Sequence, residues 1–314
     1  MAEPTYAIRD LGGERVVKVD GTEYRTYYSE RVVRMLIERK GARRTPLYFA
    51  FKQSRGRHFL ERLFRYLDGR GKRPLTVLEV GCSFGHITEY LDEQPAVAAI
   101  HTFDVDEPFV EITRTKVAEL GLGKVRQVLH LTDEETTRLP FGPGTFDLVL
   151  AIGVIEHLPF PGRRRYVDEY YRVLAPGGHI AILDTPNRAF PLETHSVGLP
   201  GIQWLPAPWA HRYARLCRPD RVRDTPFAVF EAGAWRNASW TECLPSTGAH
   251  GLTDVTEEAG YGWRFFRDTA RSRTRRALLP AFAAAASALR LVGRPPSLAL
   301  PYFNLIFRKL DGTR

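Results

Sequence analysis

The chain has 314 residues, 44% hydrophobic and 26% charged, with a net charge of +9. That is the composition of an ordinary folded protein, large enough for one sizeable domain or two small ones. From Tyr261 onward eleven basic residues face two acids, an excess equal to the charge of the whole chain. Residues 1–260 are therefore neutral, and a basic platform for nucleic acid is not expected there. Cys82, Cys217 and Cys243 are odd in number and lack paired metal spacing. A reduced, cytoplasmic setting is expected. Met1 to Asp20 carries mixed charge without an apolar core, so no secretory leader is expected. No apolar run approaches the roughly 20 residues of a membrane span.

Ile8 to Thr26 alternates around Gly12-Gly13 and Asp20-Gly21. The pattern predicts a short hairpin with Arg15–Val19 as its clearest strand. Ser29 is placed to cap a helix to Lys40, which carries Val32, Val33, Leu36 and Ile37 on one side and stops at Gly41. A second helix is predicted from Arg55 to Asp68, with Phe59, Leu60, Leu63, Phe64 and Leu67 at helical spacing. Residues 1–72 thus read as a hairpin and helical cap whose apolar stripe packs on a core. Its tyrosines leave a second reading open, a lid over a substrate.

Thr76 to Val80 is a short continuous apolar run, the pattern of a strand buried on both faces. It enters the turn Gly81-Cys82-Ser83-Phe84-Gly85, and a helical pattern follows to Leu91. Glycines at 81 and 85 let the backbone approach a ligand closely, and the next helix points its N-terminal amides above the turn. Taken alone, the turn fits three chemistries. A dinucleotide loop wants Gly-x-Gly-x-x-Gly, and this turn has Gly81-x-Ser83-x-Gly85. The same residues read as a Gly-x-Ser-x-Gly nucleophile elbow with Ser83 as nucleophile. The third reading is an S-adenosylmethionine (SAM) loop with Glu79 as its leading acid.

Ala98 to Asp104 is a second strand ending in an acid, placed to accept from ribose hydroxyls. The competing role for Asp104 is a helix cap for Pro108–Leu120. Further strands are predicted at Lys124–Leu131, Phe146–Ile152 and Gly178–Asp184, with an amphipathic helix at Gly162–Leu174. Strand and helix alternate, which implies an α/β, Rossmann-like, doubly wound and mostly parallel sheet.

In order, the motifs Val77–His86, Asp104, Glu135–Phe141, Thr145–Leu150, Val154–Leu158 and Arg172–Gly178 give the chain a family likeness. From about Leu75 to Asn187 it resembles class I SAM-dependent methyltransferases. The subgroup is the one similar to ubiquinone/menaquinone-biosynthesis and sugar or natural-product enzymes. The resemblance implies SAM as cosubstrate and a core over residues 73–190. It implies that Gly81, Ser83 and Gly85 shape the loop around the methionine part. Glu79 would order that loop or reach the amino group through water, and Asp104 would hold the ribose. Glu135, or its neighbour Asp133, would approach the adenine, and Ile152 and Val154 would line the site. It also implies a final antiparallel strand, placed at Tyr302–Lys309 with its partner near Gly262–Arg267.

Methyl transfer is an in-line displacement at an activated carbon, and alignment alone can supply about 7–11 kcal/mol. A hydroxyl acceptor adds the need for a proton acceptor, for which histidine suits neutral pH. His157 is the first candidate and His195 the second. Some relatives hold a divalent metal through Glu-x-x-Glu-His. Here Gly153 stands in place of the first carboxylate, so no metal is expected. The hydrolase reading lacks a preceding His-Gly-Gly run. Ala151-Ile152-Gly153-Val154 stands where base-methylating enzymes carry Asn/Asp-Pro-Pro-aromatic, so no nucleic-acid substrate is expected.

The acceptor read from this pattern is a small molecule or a glycan or lipid-linked molecule, methylated at oxygen, with carbon methylation of a quinone-like acceptor as the runner-up. Residues 191–260, rich in proline and tryptophan, read as a long irregular insertion that walls the substrate pocket. Residues 261–314 read as a basic segment completing the sheet. A helix is predicted there from Pro280 to Val292, after four arginines at 271, 273, 275 and 276. Leu278, Phe282 and Leu289 beside this cluster suggest peripheral contact with an anionic membrane.

Overall fold

The computed structural model describes residues 5–70, 74–247 and 251–311. The boundary expected at 72/73, and Arg314 of the basic segment, lie outside the described residues. The chain divides into two compact units, Met1–Glu134 and Glu135–Arg314.

The first unit opens with a three-stranded antiparallel meander, where a single hairpin was expected. Its strands are β1 (Tyr6–Asp10), β2 (Arg15–Val19) and β3 (Thr22–Thr26). Asp20 (φ 46°) and Gly21 (φ 87°) form the two-residue turn that sends β3 back along β2. Helix α1 (Glu30–Lys40) starts where Ser29 Oγ accepts from the Val32 N–H at 3.1 Å. Val32, Val33, Leu36 and Ile37 are its buried face. A short α2 (Thr45–Tyr48) and a π-helical stretch, Lys52–Arg57, lead into α3 (His58–Asp68). The helix expected from Arg55 begins in that stretch. Gly56 there packs on the Tyr90 side chain, where a Cβ would lie 2.6 Å from the ring.

Three parallel strands follow, β4 (Leu75–Val80), β5 (Val97–Asp104) and β6 (Val125–His130), in the order β6-β5-β4. They alternate with α4 (His86–Asp92) and α5 (Glu107–Leu120). Asp106 caps α5, accepting from the Phe109 N–H. Asp104 is thereby released from the capping role that the sequence left open to it.

In the second unit β7 (Phe146–Ile152) pairs in parallel with β8 (Leu174–Pro186), and α6 (Arg163–Val173) connects them. The last strand, β10 (Tyr302–Lys309), is antiparallel to β8 on one side. On its other side lies β9 (Leu252–Asp254), which corrects the partner expected at Gly262–Arg267. That stretch is instead a helix, α10 (Trp263–Asp268). Tyr261 and Phe265 stack at 5.5 Å and Phe265 and Phe266 are buried, a helical rather than an alternating pattern. Helix α11 spans Arg273–Leu291 with Pro280 inside it, so it begins well before the start expected at Pro280. Ser272 Oγ accepts from the Arg275 N–H and sets the start.

The insertion is more ordered than its composition implies. It holds α7 (Ala207–Cys217), α8 (Pro219–Val222) and α9 (Phe227–Ala232) around a small core that includes Ile202, Ala210, Phe230 and Trp235. The fold is thus the α/β, Rossmann-like class expected, with mostly parallel strands ending in an antiparallel one.

Candidate active site

In the first unit the turn after β4 is left-handed at alternate positions. Gly81 has φ 75°, Ser83 48° and Gly85 74°. The second is a serine, held there by its neighbours. The Ser83 N–H donates to Asp104 Oδ2 at 2.8 Å, and the Thr113 hydroxyl donates to Ser83 O at 2.9 Å. A Cβ on Gly85 would stand 3.1 Å from Thr113, so glycine answers both the conformation and the close approach. The N–H groups of Gly81 and Cys82 both donate to Phe103 O at the end of β5, at 3.0 and 2.9 Å. Asp104 also accepts from the Asp106 N–H at 3.0 Å. Its carboxylate thus fastens the turn to the tip of β5, and burial raises its pKa.

Glu79 is buried in β4. Thr88 of α4 donates to its Oε2 at 2.6 Å, so its side chain braces the helix that follows the turn. Burial pushes its carboxyl up to about 8, against the lowering effect of that hydrogen bond.

A support for the turn that sequence reading missed is Lys116 of α5. It is buried, donates to Phe84 O at 2.9 Å and to Tyr28 Oη at 3.1 Å, and pairs with Glu89. Glu89 accepts from Tyr27 Oη at 2.6 Å and Tyr28 Oη at 3.0 Å. The N-terminal tyrosines are therefore joined to a carbonyl of the turn. Only their aromatic crowding in the sequence pointed to them.

In the second unit Ile152 and Val154 are half-buried at the end of β7. Gly153 between them turns with φ 66°, its N–H donating to Leu183 O. The 3₁₀ turn Ile155–His157 follows, with the Glu156 side chain buried and His157 exposed. His195 comes from the insertion and meets His157 with their Nε2 atoms 3.2 Å apart. Glu156 Oε1 lies 4.0 Å from His157 Nε2 and 3.8 Å from His195 Nε2. The two histidines proposed separately from the sequence thus stand together beside one carboxylate.

Glu193 presents His195. Its buried carboxylate accepts from four successive N–H groups, His195 and Ser196 on Oε1, Val197 and Gly198 on Oε2, at 2.7–2.8 Å. Glu135 sits exposed in a 3₁₀ turn, Glu135–Thr137, and Asp133 is exposed in the other unit.

Glu156, His157 and His195 offer one donor atom each, all within 4.8 Å of one another, and could hold a metal ion. Two imidazoles and a carboxylate suit a borderline transition ion better than magnesium. Counting carboxylates along the sequence left His195 out of that donor set.

A family model described as a methyltransferase domain matches residues 78–182. A ubiquinone biosynthesis O-methyltransferase from Caulobacter is 30% identical over 162 residues, covering 50% of this chain and 60% of that protein. A demethylmenaquinone methyltransferase from Thermus thermophilus is 32% identical over 116 residues, covering 37% of this chain and 49% of its own length. The chain thus spans between about half and three-fifths of these relatives. The crystal structure of a SAM-dependent methyltransferase from Aquifex aeolicus, 23% identical, covers 53% of this chain and 81% of that one, with a TM-score of 0.36.

Proposed function

We propose that the chain is a class I SAM-dependent methyltransferase, a reading supported by the match of residues 78–182 to a methyltransferase domain, and that it moves the methyl group of SAM to an oxygen of a small-molecule or lipid-linked acceptor. The observation that carries the reading is the Gly81–Gly85 turn fastened through Ser83 to Asp104. In it Gly81, Ser83 and Gly85 shape the cradle for the methionine part, with Glu79 bracing the helix behind it. Asp104 has carboxylate lone pairs for the ribose hydroxyls beyond those taken by two N–H groups.

Oxygen is favoured over carbon by the paired imidazoles of His157 and His195. A hydroxyl acceptor must lose its proton as the methyl arrives, and His157 is the proton acceptor in this reading. Carbon methylation of a quinone-like acceptor is the runner-up, supported by the likeness to the demethylmenaquinone methyltransferase. No resident metal and no nucleic acid enter the proposed reaction. The proposed setting is the cytoplasm, with the basic C-terminal segment touching an anionic membrane. Among the described residues no helix is long and apolar enough to cross one.

Calorimetric titration with SAM and with S-adenosylhomocysteine tests the reading. Both are expected to bind with constants on the order of micromolar. The Asp104→Ala variant is expected to lose most of that affinity, since two hydrogen bonds to a charged group contribute roughly 1.5–3 kcal/mol each. Binding of a nicotinamide dinucleotide in place of both ligands would overturn the reading. An unchanged affinity in Asp104→Ala would remove that residue from the ribose role.

A further inference from the structure

Beside the histidine pair the second unit gathers three guanidiniums around one aromatic ring. The Cζ atoms of Arg163, Arg188 and Arg236 lie 5.6, 5.2 and 4.8 Å from the centre of the Phe160 ring. Two of the three are fully engaged in holding the chain together. Arg163 is buried and donates to Leu158 O at 3.0 Å, to Glu156 O at 2.5 Å and to Asn237 O. Arg188 donates to Arg236 O at 2.9 Å, to Asn237 O at 3.1 Å and to both oxygens of Glu242, at 3.0 and 2.8 Å. Glu242 also lies 3.5 Å from Arg163, so one carboxylate serves two cations.

Arg236 is different. Among the described residues no carboxylate pairs with its guanidinium. The group lies over two aromatic rings, Phe160 and Trp235, the latter at 4.4 Å. Trp235 is 1% exposed and stacks on Phe230 at 5.0 Å, so the platform under the cation is fixed. The backbone is fixed as well. Asn237, in the left-handed region at φ 51°, closes the turn by donating to Ala234 O at 3.0 Å. Phe160 itself is 45% exposed, which leaves the site open on one side.

A guanidinium held over aromatic rings uses none of its N–H donors in that contact. Its N–H groups form a fork matched to the two oxygens of a carboxylate or phosphate. Half-burial beside Arg188 disfavours the charge of Arg236, and the exposed Glu231 only partly offsets this. An anionic ligand would supply the missing partner.

The position is also right for an acceptor. The 3₁₀ turn Ala234–Arg236 packs against the turn Ile155–His157 that carries the proposed base. A small molecule held by its acidic end at Arg236 would therefore lie beside His157. We propose that Arg236 binds a carboxylate or phosphate group of the methyl acceptor, making the substrate an acidic molecule with an aromatic or apolar body against Phe160. That the bound anion is the acceptor rests on the methyl-transfer reading; that the site takes an anion does not.

Benzoate, phenyl phosphate and neutral benzyl alcohol, each titrated calorimetrically, test this. The proteins are wild type, Arg236→Gln, Arg236→Lys and, as a control for general charge, Arg223→Gln on the exposed surface. Wild type is expected to bind one or both anions, and which one distinguishes a carboxylate from a phosphate acceptor. Arg236→Gln is expected to weaken that binding at least tenfold, Arg236→Lys by less, and Arg223→Gln not at all. Failure of both anions to bind wild type overturns the proposal. So does equal binding by Arg236→Gln, or benzyl alcohol binding as tightly as the anions. S-adenosylhomocysteine titrated into the same samples separates the two readings. Its retention in Arg236→Gln supports the proposal by showing an intact fold. Its failure to bind wild type, with anion binding intact, would fault methyl transfer and leave the anion site standing.

Discussion

Glu79 had two roles open to it in the sequence, ordering the loop or reaching the amino group of the ligand through water. Its carboxyl is enclosed with Thr88, which fits the ordering role, and burial pushes it up to about 8 from 4.5. A folded-state pKa above the unfolded one means that the folded protein holds the proton over that interval. The stability Glu79 contributes is then complete below about 4.5 and is lost as pH rises through 8. Melting temperatures of wild type and Glu79→Gln, measured from pH 5 to 8.5, should diverge, wild type losing ground as pH rises. A difference that stays constant across that range would show that Glu79 is ionised in the folded protein. In the second unit, His157→Ala should lower turnover by roughly 10²–10⁴, more than it changes SAM affinity. Full turnover in that variant would transfer the base role to His195, 3.2 Å away, or dispense with a base.

Elements differ in how far their residues announce them. The turn after β4 was legible because an apolar run, two glycines and a following helix are local signals. The strands β2 and β4 to β8 were legible for the same reason, whereas β10 was placed from the family resemblance and β9 was missed. What joins distant segments was not legible. Nothing near His195 says that it meets His157, because the meeting depends on Glu193 gathering four N–H groups into one loop. Nor does Tyr28 announce Lys116, 88 residues on. Pro280 misled because proline opens helices more often than it interrupts them, and here the Ser272 cap outweighed it. The Lys116–Glu89 pair gives the element-scale prediction. Both side chains are at most 2% exposed, while the Arg34–Glu30 pair on α1 is 53% exposed on each side. Lys116→Met leaves a buried carboxylate without its cation, a loss of about 3–5 kcal/mol. Arg34→Ala should lose no more than about 0.5 kcal/mol. Denaturant unfolding of the two variants distinguishes them. Equal losses would mean that Glu89 finds another partner or takes up a proton.

At the scale of the whole molecule the uneven charge remains, and the structure narrows what it can do. The excess on residues 261–314 matches the net charge, but much of it is engaged locally. Arg267, Arg290 and Arg308 pair with Asp268, Glu257 and Asp311. Arg275 lies 4.2 Å over the Phe266 ring and donates to Phe266 O. Of the apolar stripe expected beside the arginines, Phe282 turns inward against the rings of Phe190 and Phe266, whereas Leu278 does not. The outward face of α11 is mostly alanine, Ala277, Ala281, Ala284 and Ala288, with Leu278 and Leu291 exposed. Arg264, Arg271, Arg273, Arg276 and Arg294 remain exposed. At about 1 kcal/mol each near an anionic surface they supply roughly 5 kcal/mol. That corresponds to a dissociation constant on the order of 0.1 mM, and alanine adds little apolar burial to it. The expected outcome is weak sedimentation with vesicles containing phosphatidylserine at low salt. It should be abolished by raised salt, by neutral vesicles, and by the combined Arg271→Gln, Arg273→Gln and Arg276→Gln substitutions. Binding that survives high salt, or that is equal on neutral vesicles, would place the contact on the exposed Trp204, Trp209 and Leu216 of the insertion instead. Salt separates these cases because screening acts on exposed arginines and leaves apolar burial untouched.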